Sequence, residues 1–374
     1  MLGEWSNYLV FLTIQTAIFA IFSLGLNLQW GFTGLINFGH VAFMTVGAYT
    51  TVLLSLQGVP LILAVLMGAV LATVLGILIG LSTLRLREDY LAIVTIGVSE
   101  LIRLVALNEE GLTKGAFGVQ SYRLPLEDFN PNLGSKLAMI GLLTVISIWA
   151  WWQIWRWFRQ QLPQLQTQSQ HRQGREEIVL LSLAAMAGVL ILAIYASGAT
   201  ALYNYSYKAG LMLLSLITLS LLYWSLERLV RSPWGRVLKA IREDEQVAKA
   251  LGKNVFWYKL QALMLGGAIA GIAGAFYAWN LTTVYPSNFE PIITFNSWTI
   301  VVLGGAGNNA GTILGAVIFW AYNTITRFVL PTQIINDASL GAFRVMSIGL
   351  ILMVLMIWRP QGILGRKEEL TLGR

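Results

Sequence analysis

The stretch VPLILAVLMGAVLATVLGILIGLST, residues 59–83, contains no charged residue and no polar side chain larger than that of threonine. About 20 helical residues cross a hydrocarbon core that is about 30 Å thick. This stretch therefore predicts a helix that spans a membrane. The apolar pattern extends toward the N-terminal side, because Glu4 is the single charged residue among the first 84.

The whole chain is too apolar to enclose its hydrophobic residues in one core. Of its 374 residues, 56% are hydrophobic and 11% are charged, whereas a soluble domain carries about 25% charged residues. We therefore predict an all-α polytopic membrane protein, solvated by lipid, with about 10–11 transmembrane segments. The first apolar run is expected to be a span and not a removed signal peptide. The segment at 292–306 is short enough to be re-entrant. The eleven candidate segments are 8–28, 35–55, 59–83, 90–107, 137–155, 178–202, 207–226, 259–281, 292–306, 311–330 and 341–358.

The chain lacks the residue patterns of common enzymes. It has no cysteine, which excludes disulfides, thiolate metal sites and a thiol nucleophile. It has no G-x-x-x-x-G-K-[ST] phosphate loop, no H-E-x-x-H and no G-x-S-x-G. We therefore expect no catalytic residues, metal or cofactor in this chain. If ATP and Mg²⁺ drive this protein, another chain must bind them.

Lysine and arginine indicate the orientation of the chain. With the N-terminus outside, 18 of the 25 basic residues fall in cytoplasmic loops or in the C-terminal tail, as the positive-inside rule requires. We therefore predict an N-out/C-in arrangement. The positive net charge of +7 is then explained by basic residues in the cytoplasmic loops. Nucleic acid is therefore not an expected partner. Residues 156–177 are predicted to form a polar, glutamine-rich cytoplasmic linker.

The predicted cytoplasmic loop at 228–258 is the longest charged stretch. Ser232 is a candidate N-cap with Pro233 at the first helical position, and Gly252 is placed to end a short amphipathic helix. Two interpretations stay open on these residues. The loop is either a solvated helix stabilised by Glu–Lys pairs or a docking helix for a cytoplasmic protein.

Two polar residues interrupt the apolar pattern of GLINFGHVAFMTVGAY, residues 34–49. Asn37 and His40 are three positions apart, so a helix would place both on one face. An amide and an imidazole are costly in lipid unless they form hydrogen bonds, so this face must contact protein or water. Either the two residues hold helices together, or they line a solute path with His40 neutral. Because no cysteine or second histidine lies near His40, a metal site is not expected.

The predicted fourth span carries a pair of opposite charges. Glu100 and Arg103 are i and i+3, about 15 Å from the cytoplasmic end at about 1.5 Å per residue, so they can pair near the bilayer centre. Thr95 and Ser99 flank them and add hydroxyl groups. A static ion pair that fixes helix packing and a polar site that faces a solute path are both consistent with these residues.

The glycine-rich stretch VVLGGAGNNAGTILGA, residues 301–316, lacks the lysine that completes a phosphate loop. We predict a tight helix–turn–helix in which Asn308 and Asn309 form the turn. Small residues allow close helix packing in membranes. Such packing is expected at Gly304, Gly305, Gly311 and Gly315.

Several motifs occur in the same order as in the LivM-type permeases of branched-chain and neutral amino-acid ABC importers, which this chain resembles. Besides the stretches at 34–49 and 301–316, they are LRLREDYLAIVTIGVSELIRL (84–104), LTKGAFGV (112–119) and YKLQALMLGGAIAGIAGAFYA (258–278). The resemblance covers roughly residues 8–125 and 200–365. It implies a permease domain over 1–374.

The 228–258 loop carries the part of the resemblance that concerns coupling. AIREDEQVAKALG, residues 240–252, is similar to the loop with which such permeases engage their ATPase. Val247 stands where the commoner pattern has a second alanine. The resemblance implies that this loop passes motion between the ATPase and the permease. The implied coupling residues are Arg242, Glu243, Asp244, Glu245, Ala248 and Gly252.

The resemblance implies one permease subunit of an ATP-driven importer that takes up neutral or branched-chain amino acids by alternating access. Its implied partners are ABC ATPase subunits, a second homologous permease and an external solute-binding protein, in the bacterial cytoplasmic membrane. Two alternatives stay open. One is a permease or channel for urea or short amides. The other is an ion-coupled secondary transporter with Glu100 and His40 as carriers, although the sequence shows no internal repeat.

Overall fold

The computed structural model describes residues 2–85, 88–165, 188–329, 337–358 and 361–365. This part of the chain is helical, and its only β pairing is one antiparallel bridge between Val119 and Val284. The prediction of an all-α membrane protein is confirmed. A π-helical turn, Asn27–Gly31, follows the first helix. The α-helices are α1 Leu2–Leu26, α2 Val41–Leu56, α3 Leu61–Thr83, α4 Glu88–Asn108, α5 Glu110–Thr113, α6 Leu133–Leu165, α7 Gly188–Tyr203, α8 Tyr207–Arg231, α9 Pro233–Glu243, α10 Glu245–Ala250, α11 Val255–Leu281, α12 Ile292–Gly304, α13 Asn309–Val329 and α14 Asp337–Trp358.

Each of the eleven predicted segments contains a helix. By length and apolar composition, six helices of the described residues can cross a membrane, or up to seven if one bent pair counts as a span. This is fewer than the roughly 10–11 spans predicted. One reason is that α2 has only 16 residues and begins at Val41. Another is that Pro286–Gly304 and Asn309–Thr326 form the bent pair, at an angle of 117°, which is a broken span or a re-entrant loop.

The single permease domain expected over 1–374 divides into two compact units. One unit contains residues 1–14 and 126–220, and the other contains residues 15–125 and 221–374. The second unit holds all the candidate site residues. Within the first unit, the Thr144 hydroxyl of α6 donates to the Tyr195 hydroxyl of α7 at 3.1 Å.

α11 is a central helix of the second unit and packs on α2 and α3. A Cβ placed on Gly47 of α2 would lie 2.2 Å from the carbonyl oxygen of Gly271 in α11. The absence of side chains at these positions therefore allows the two backbones to approach, as small residues do in membrane proteins. The apolar part of α11 is largely buried, whereas that of α3 is largely exposed, as expected for a helix that faces lipid.

The predicted linker at 156–177 is helical in its first part. α6 continues to Leu165, so residues 156–165 extend this helix. Residues 166–177 lie outside the described residues.

The loop at 228–258 forms two short helices and not the single helix predicted. α9 begins at Pro233 as expected, although Ser232 makes no side-chain cap. Asp244 separates α9 from α10 with an extended backbone, φ −155° and ψ 108°. Gly252 follows α10 with a φ of +75°, the left-handed conformation that was predicted to end the helix.

Candidate functional site

A buried connection that is not helical joins the π-helical turn to α2; we call it the 32–40 segment. α2 begins only after His40. The prediction that Asn37 and His40 share one helix face is therefore wrong. Gly34 contributes to the break, because its φ of +79° does not continue a right-handed helix. Irregular backbone in a membrane protein needs protein or water to satisfy its polar groups.

Asn37 satisfies several of these groups. Its side chain donates to Gln29 Oε1 at 2.9 Å and accepts from the backbone N–H of Gly39 at 2.9 Å. The backbone carbonyl oxygen of Asn37 accepts from Trp298 Nε1 at 3.1 Å. Both polar ends of the side chain are used inside the protein, which favours the packing interpretation over a wall of the solute path.

His40 is fully enclosed by the protein. Its Nε2 donates to the carbonyl oxygen of Phe22 in α1 at 3.1 Å. The ring packs against Phe22 and Phe43, with centroid distances of 4.6 and 5.7 Å. The other ring nitrogen, Nδ1, has no hydrogen-bond partner among the described residues. These contacts again favour a role in holding helices together.

Thr95 and Ser99 of α4 are buried, and their hydroxyls donate to carbonyl oxygens of their own helix at 2.9 and 2.8 Å. The Thr95 hydroxyl also accepts from the backbone N–H of Phe38 at 3.2 Å. A Cβ placed on Gly39 would lie 1.8 Å from the Thr95 carbonyl oxygen. Thr95 therefore fixes the 32–40 segment against α4.

Glu100 and Arg103 form the predicted ion pair. Arg103 donates from Nε to Glu100 Oε2 at 2.9 Å and from Nη2 to Oε1 at 2.5 Å. The pair is not enclosed by the chain, since the Glu100 side chain is 37% exposed and that of Arg103 is 19% exposed. Gly97, Leu101 and Leu104 lie beside Glu100 along an open groove on this face of α4. Charges that face hydrocarbon are costly, so protein or water must cover this face.

Glu245 has an internal role and is not a free surface carboxylate. It binds Lys249 of α10 at 2.7 Å and Lys259 of α11 at 2.5 Å. The Lys259 side chain is only 11% exposed, so the carboxylate neutralises a largely buried ammonium group. Burial raises the pKa of Glu245, but the hydrogen bonds from the two lysines outweigh it and hold the pKa below its usual value. We call these three residues the Glu245 clasp.

Other residues that the resemblance implied for coupling also shape the loop itself. Asp244 caps α10 by accepting from two backbone N–H groups of its first turn, at 2.8 and 3.0 Å. Ala248 is buried in a small core with Ile241 and Val255. Together with the turn at Gly252, these contacts give α9 and α10 a defined shape.

Arg242 and Glu243 lie at the end of α9. Arg242 Nη1 donates to the carbonyl oxygen of Gly31, the last residue of the π-helical turn, at 2.5 Å. Arg242 therefore joins the loop to the interior of the second unit. Glu243 is exposed on the loop surface.

Two exposed apolar residues of this loop were not predicted as site residues. Val247 and Leu251 are 55% and 72% exposed on a stretch that is otherwise rich in charge. An exposed apolar patch rimmed by polar residues is typical of a protein-binding surface. The one feature of the sequence that indicated this surface was Val247, which is a larger apolar residue where the commoner pattern has alanine.

Asn27 and Gln29 are fully buried in the π-helical turn, and neither was predicted as a site residue. Asn27 donates to Asn309 Oδ1 at 3.1 Å and accepts from the backbone N–H of Gly307 at 2.9 Å. These contacts fix the end of α1 to the turn between α12 and α13. Asn37 was selected because it is an amide within an apolar run. Asn27 and Gln29 are amides in the same apolar run, so the same criterion would have selected them.

The glycine-rich turn between α12 and α13 forms as predicted. A Cβ on Gly304 would lie 2.0 Å from the Gly311 carbonyl oxygen, and one on Gly315 would lie 2.1 Å from a carbonyl oxygen of α12. The Asn308 side chain accepts from the backbone N–H of Gly311 at 3.1 Å, and Asn309 begins α13. The tight helix–turn–helix is therefore confirmed.

Comparison with known proteins yields relatives over nearly the whole chain. LivM of Escherichia coli K12, a high-affinity branched-chain amino acid transport system permease protein, is 29% identical over 350 residues, which are 93% of this chain and 68% of the relative. A LivM permease protein of Methanocaldococcus jannaschii is 23% identical over an alignment of 396 residues, covering 95% of this chain and 92% of the relative. LivH of Escherichia coli K12 is 30% identical over 141 residues, 37% of this chain and 41% of the relative.

No solved structure is significantly similar to the chain. A family model described as the permease component of a branched-chain amino acid transport system matches residues 8–357. The match spans the helices of both units, including six that are long and apolar enough to cross a membrane. The chain is therefore a multi-pass membrane protein that belongs to the family of branched-chain amino acid transport system permease components.

Proposed function

We propose that this chain is the membrane permease subunit of an ATP-driven importer and that its solute is a branched-chain amino acid. The family match and the names of the relatives support the solute class. The chain binds no cofactor and catalyses no reaction. ATP and Mg²⁺ bind to separate ATPase subunits, since the sequence has no phosphate loop.

The main structural support for this proposal is that the α9–α10 loop is fixed to the helix bundle and exposes apolar residues. The Glu245 clasp ties α10 to α11, and the small core around Ala248 ties it to α9. Val247 and Leu251 remain exposed on this fixed support. A loop that is held on one side and apolar on the other suits a lever that docks on an ATPase and transmits its displacement.

The partners follow from the orientation and from the relatives. The positive-inside count supports an N-out/C-in chain in the bacterial cytoplasmic membrane, which places the α9–α10 loop beside cytoplasmic ATPase subunits. Similarity to both LivM and LivH supports a second, homologous permease that presents a second loop. An external binding protein delivers the solute.

The solute path follows the face of α4 that carries Glu100 and Arg103. This face is exposed on the chain, and the second permease or water covers its charges. Thr95 and Ser99 support the path from within the helix packing and do not line it. Asn37 and His40 act in the same way, because their contacts are with protein groups.

Reconstituted transport tests the proposal. Proteoliposomes would contain this chain with its ATPase and second permease, Mg-ATP inside and the binding protein outside. We expect ATP-dependent uptake of labelled leucine that unlabelled isoleucine and valine inhibit and urea does not. Uptake driven by an ion gradient without ATP would support a secondary transporter instead. Inhibition by urea or acetamide would assign the chain to amide transport.

The docking surface has its own test. Replacing both Val247 and Leu251 by serine should weaken binding of the ATPase by about fivefold or more, the effect of losing an apolar contact at an interface. Gln246→Ser, at an exposed position on the same helix, is the matched control. Equal ATPase binding by both variants would exclude this surface.

A further inference from the structure

α9 holds the chain just after α1 by three contacts. Arg242 Nη1 donates to the carbonyl oxygen of Gly31 at 2.5 Å. Gly34 packs against Arg242, since a Cβ placed on this glycine would lie 3.6 Å from the Arg242 Cα. The Lys239 ammonium lies 5.7 Å from the centroid of the Phe32 ring. A displacement of α9 therefore acts directly on this part of the chain.

The residue that Arg242 binds is tightly packed on its other side. A Cβ placed on Gly31 would lie 2.0 Å from Asn27 Oδ1, so no larger residue fits there without movement. Asn27 in turn is hydrogen-bonded to the backbone of Gly307 and to the side chain of Asn309. Through Gly31, α9 is linked to both the π-helical turn and the α12–α13 turn.

The far end of the 32–40 segment is bound to two other helices. The backbone N–H of Phe38 donates to the Thr95 hydroxyl of α4 at 3.2 Å. Trp298 of α12 donates from Nε1 to the Asn37 carbonyl oxygen at 3.1 Å. The 32–40 segment therefore runs from α9 to α12 and to α4, the helix that carries the exposed ion pair.

We propose that Arg242 is the joint between the α9–α10 loop and the transport helices. Its hydrogen bond to Gly31 passes the displacement of α9 through the 32–40 segment to α4 and α12. Gly34, with its φ of +79°, is the point at which the segment turns. Arg242 acts through Gly31, so it is a positioning residue for transport and not a docking residue. The inference rests on the proposed function, because it assigns the route of motion that an ATPase would start.

The test measures ATP hydrolysis and solute uptake together in the reconstituted complex. We expect Arg242→Gln to assemble and to retain hydrolysis, while uptake per ATP hydrolysed falls by about tenfold, as for the loss of a hydrogen bond to a charged group. Arg242→Lys keeps a charged donor and should recover part of the loss. Arg236→Gln, at an exposed position of the same helix, is the matched control and should leave both rates unchanged.

The outcomes separate this inference from the proposed function. If hydrolysis and uptake fall together in Arg242→Gln, the residue docks the ATPase and the joint is refuted. Unchanged rates in Arg242→Gln also refute it. A wild-type complex without ATP-dependent uptake refutes the proposed function, and the inference with it.

A pair of glycine substitutions decides the matter if Arg242→Gln fails to assemble. Gly34 and Gly58 have φ values of +79° and +84°. An added Cβ meets no atom closer than 3.6 Å at Gly34 and none within 4 Å at Gly58, so alanine imposes similar backbone strain at both. We expect Gly34→Ala to lower uptake per ATP and Gly58→Ala to leave it unchanged. Equal ratios in the two variants would refute the joint.

Discussion

Replacing Glu245 by glutamine should release α10 from α11. The carboxylate binds Lys249 and Lys259 at 2.7 and 2.5 Å. The Lys259 side chain is 11% exposed, so Glu245→Gln leaves its ammonium group largely buried without the carboxylate. The Lys249 side chain is 59% exposed, and its ammonium group returns to water at little cost.

The burial of Lys259 sets the expected loss. Removing one partner of a buried ion pair costs about 3–5 kcal/mol, whereas an exposed pair contributes about 0–1 kcal/mol. The Glu245 side chain is 36% exposed, so the clasp lies between these limits. We expect Glu245→Gln to cost about 1–2 kcal/mol. Lys249→Gln breaks only the exposed contact and should cost less than about 0.5 kcal/mol.

Hydrogen–deuterium exchange of the α10 amides measures this difference in the assembled protein. A loss of about 1–2 kcal/mol from local opening should speed exchange by about 5- to 30-fold in Glu245→Gln. Lys249→Gln is the matched control, and its exchange should rise by less than about threefold. Equal acceleration in the two variants would show that the burial of Lys259 does not set the loss, and would refute the reasoning.

The remaining predictions concern pH, the ion pair of α4 and His40. Because the pKa of Glu245 is lowered in the folded protein, the stabilisation from the clasp is present above the ordinary pKa of glutamate and is lost as pH falls through the lowered value. Exchange of α10, corrected for its intrinsic rate, should therefore accelerate in acid in the wild type and not in Glu245→Gln. Glu100→Gln and Arg103→Gln should each lower the yield of folded protein in membranes, and the double substitution should recover part of it. A double mutant as poor as the sum of the two would exclude the pairing. His40→Leu removes the donor to a buried carbonyl, at a cost of about 1–3 kcal/mol, and should lower accumulation in the membrane more than His40→Gln does. If His40→Leu accumulates normally but takes up solute poorly, His40 lines the solute path and does not mainly hold helices together.

Local patterns were sufficient for several helix ends and turns. Pro233 and Gly252 bound the α9–α10 loop as predicted, because the restricted φ of proline and the left-handed preference of glycine are properties of single residues. The pairing of Glu100 with Arg103 was equally predictable, since three positions along a helix bring two long side chains together.

Periodicity failed where the chain leaves the helix. Asn37 and His40 have helical spacing, and the apolar residues around them gave no sign that α2 begins only at Val41. The break is stabilised by contacts with distant helices, such as the bond between Trp298 and the Asn37 carbonyl. Likewise, no local pattern indicated that Glu245, an implied coupling residue, binds Lys259 of α11.

The sequence by itself determined that this protein is a bundle of membrane helices, because in lipid a chain must satisfy its backbone polar groups within each helix. Its ordered motifs also determined the family. Only the tertiary structure decided where helices break and which partner each polar side chain has. Asn27 and Gly307 are 280 positions apart and yet share a hydrogen bond. Such a contact depends on how the helices pack against one another, and no local pattern of residues records that arrangement.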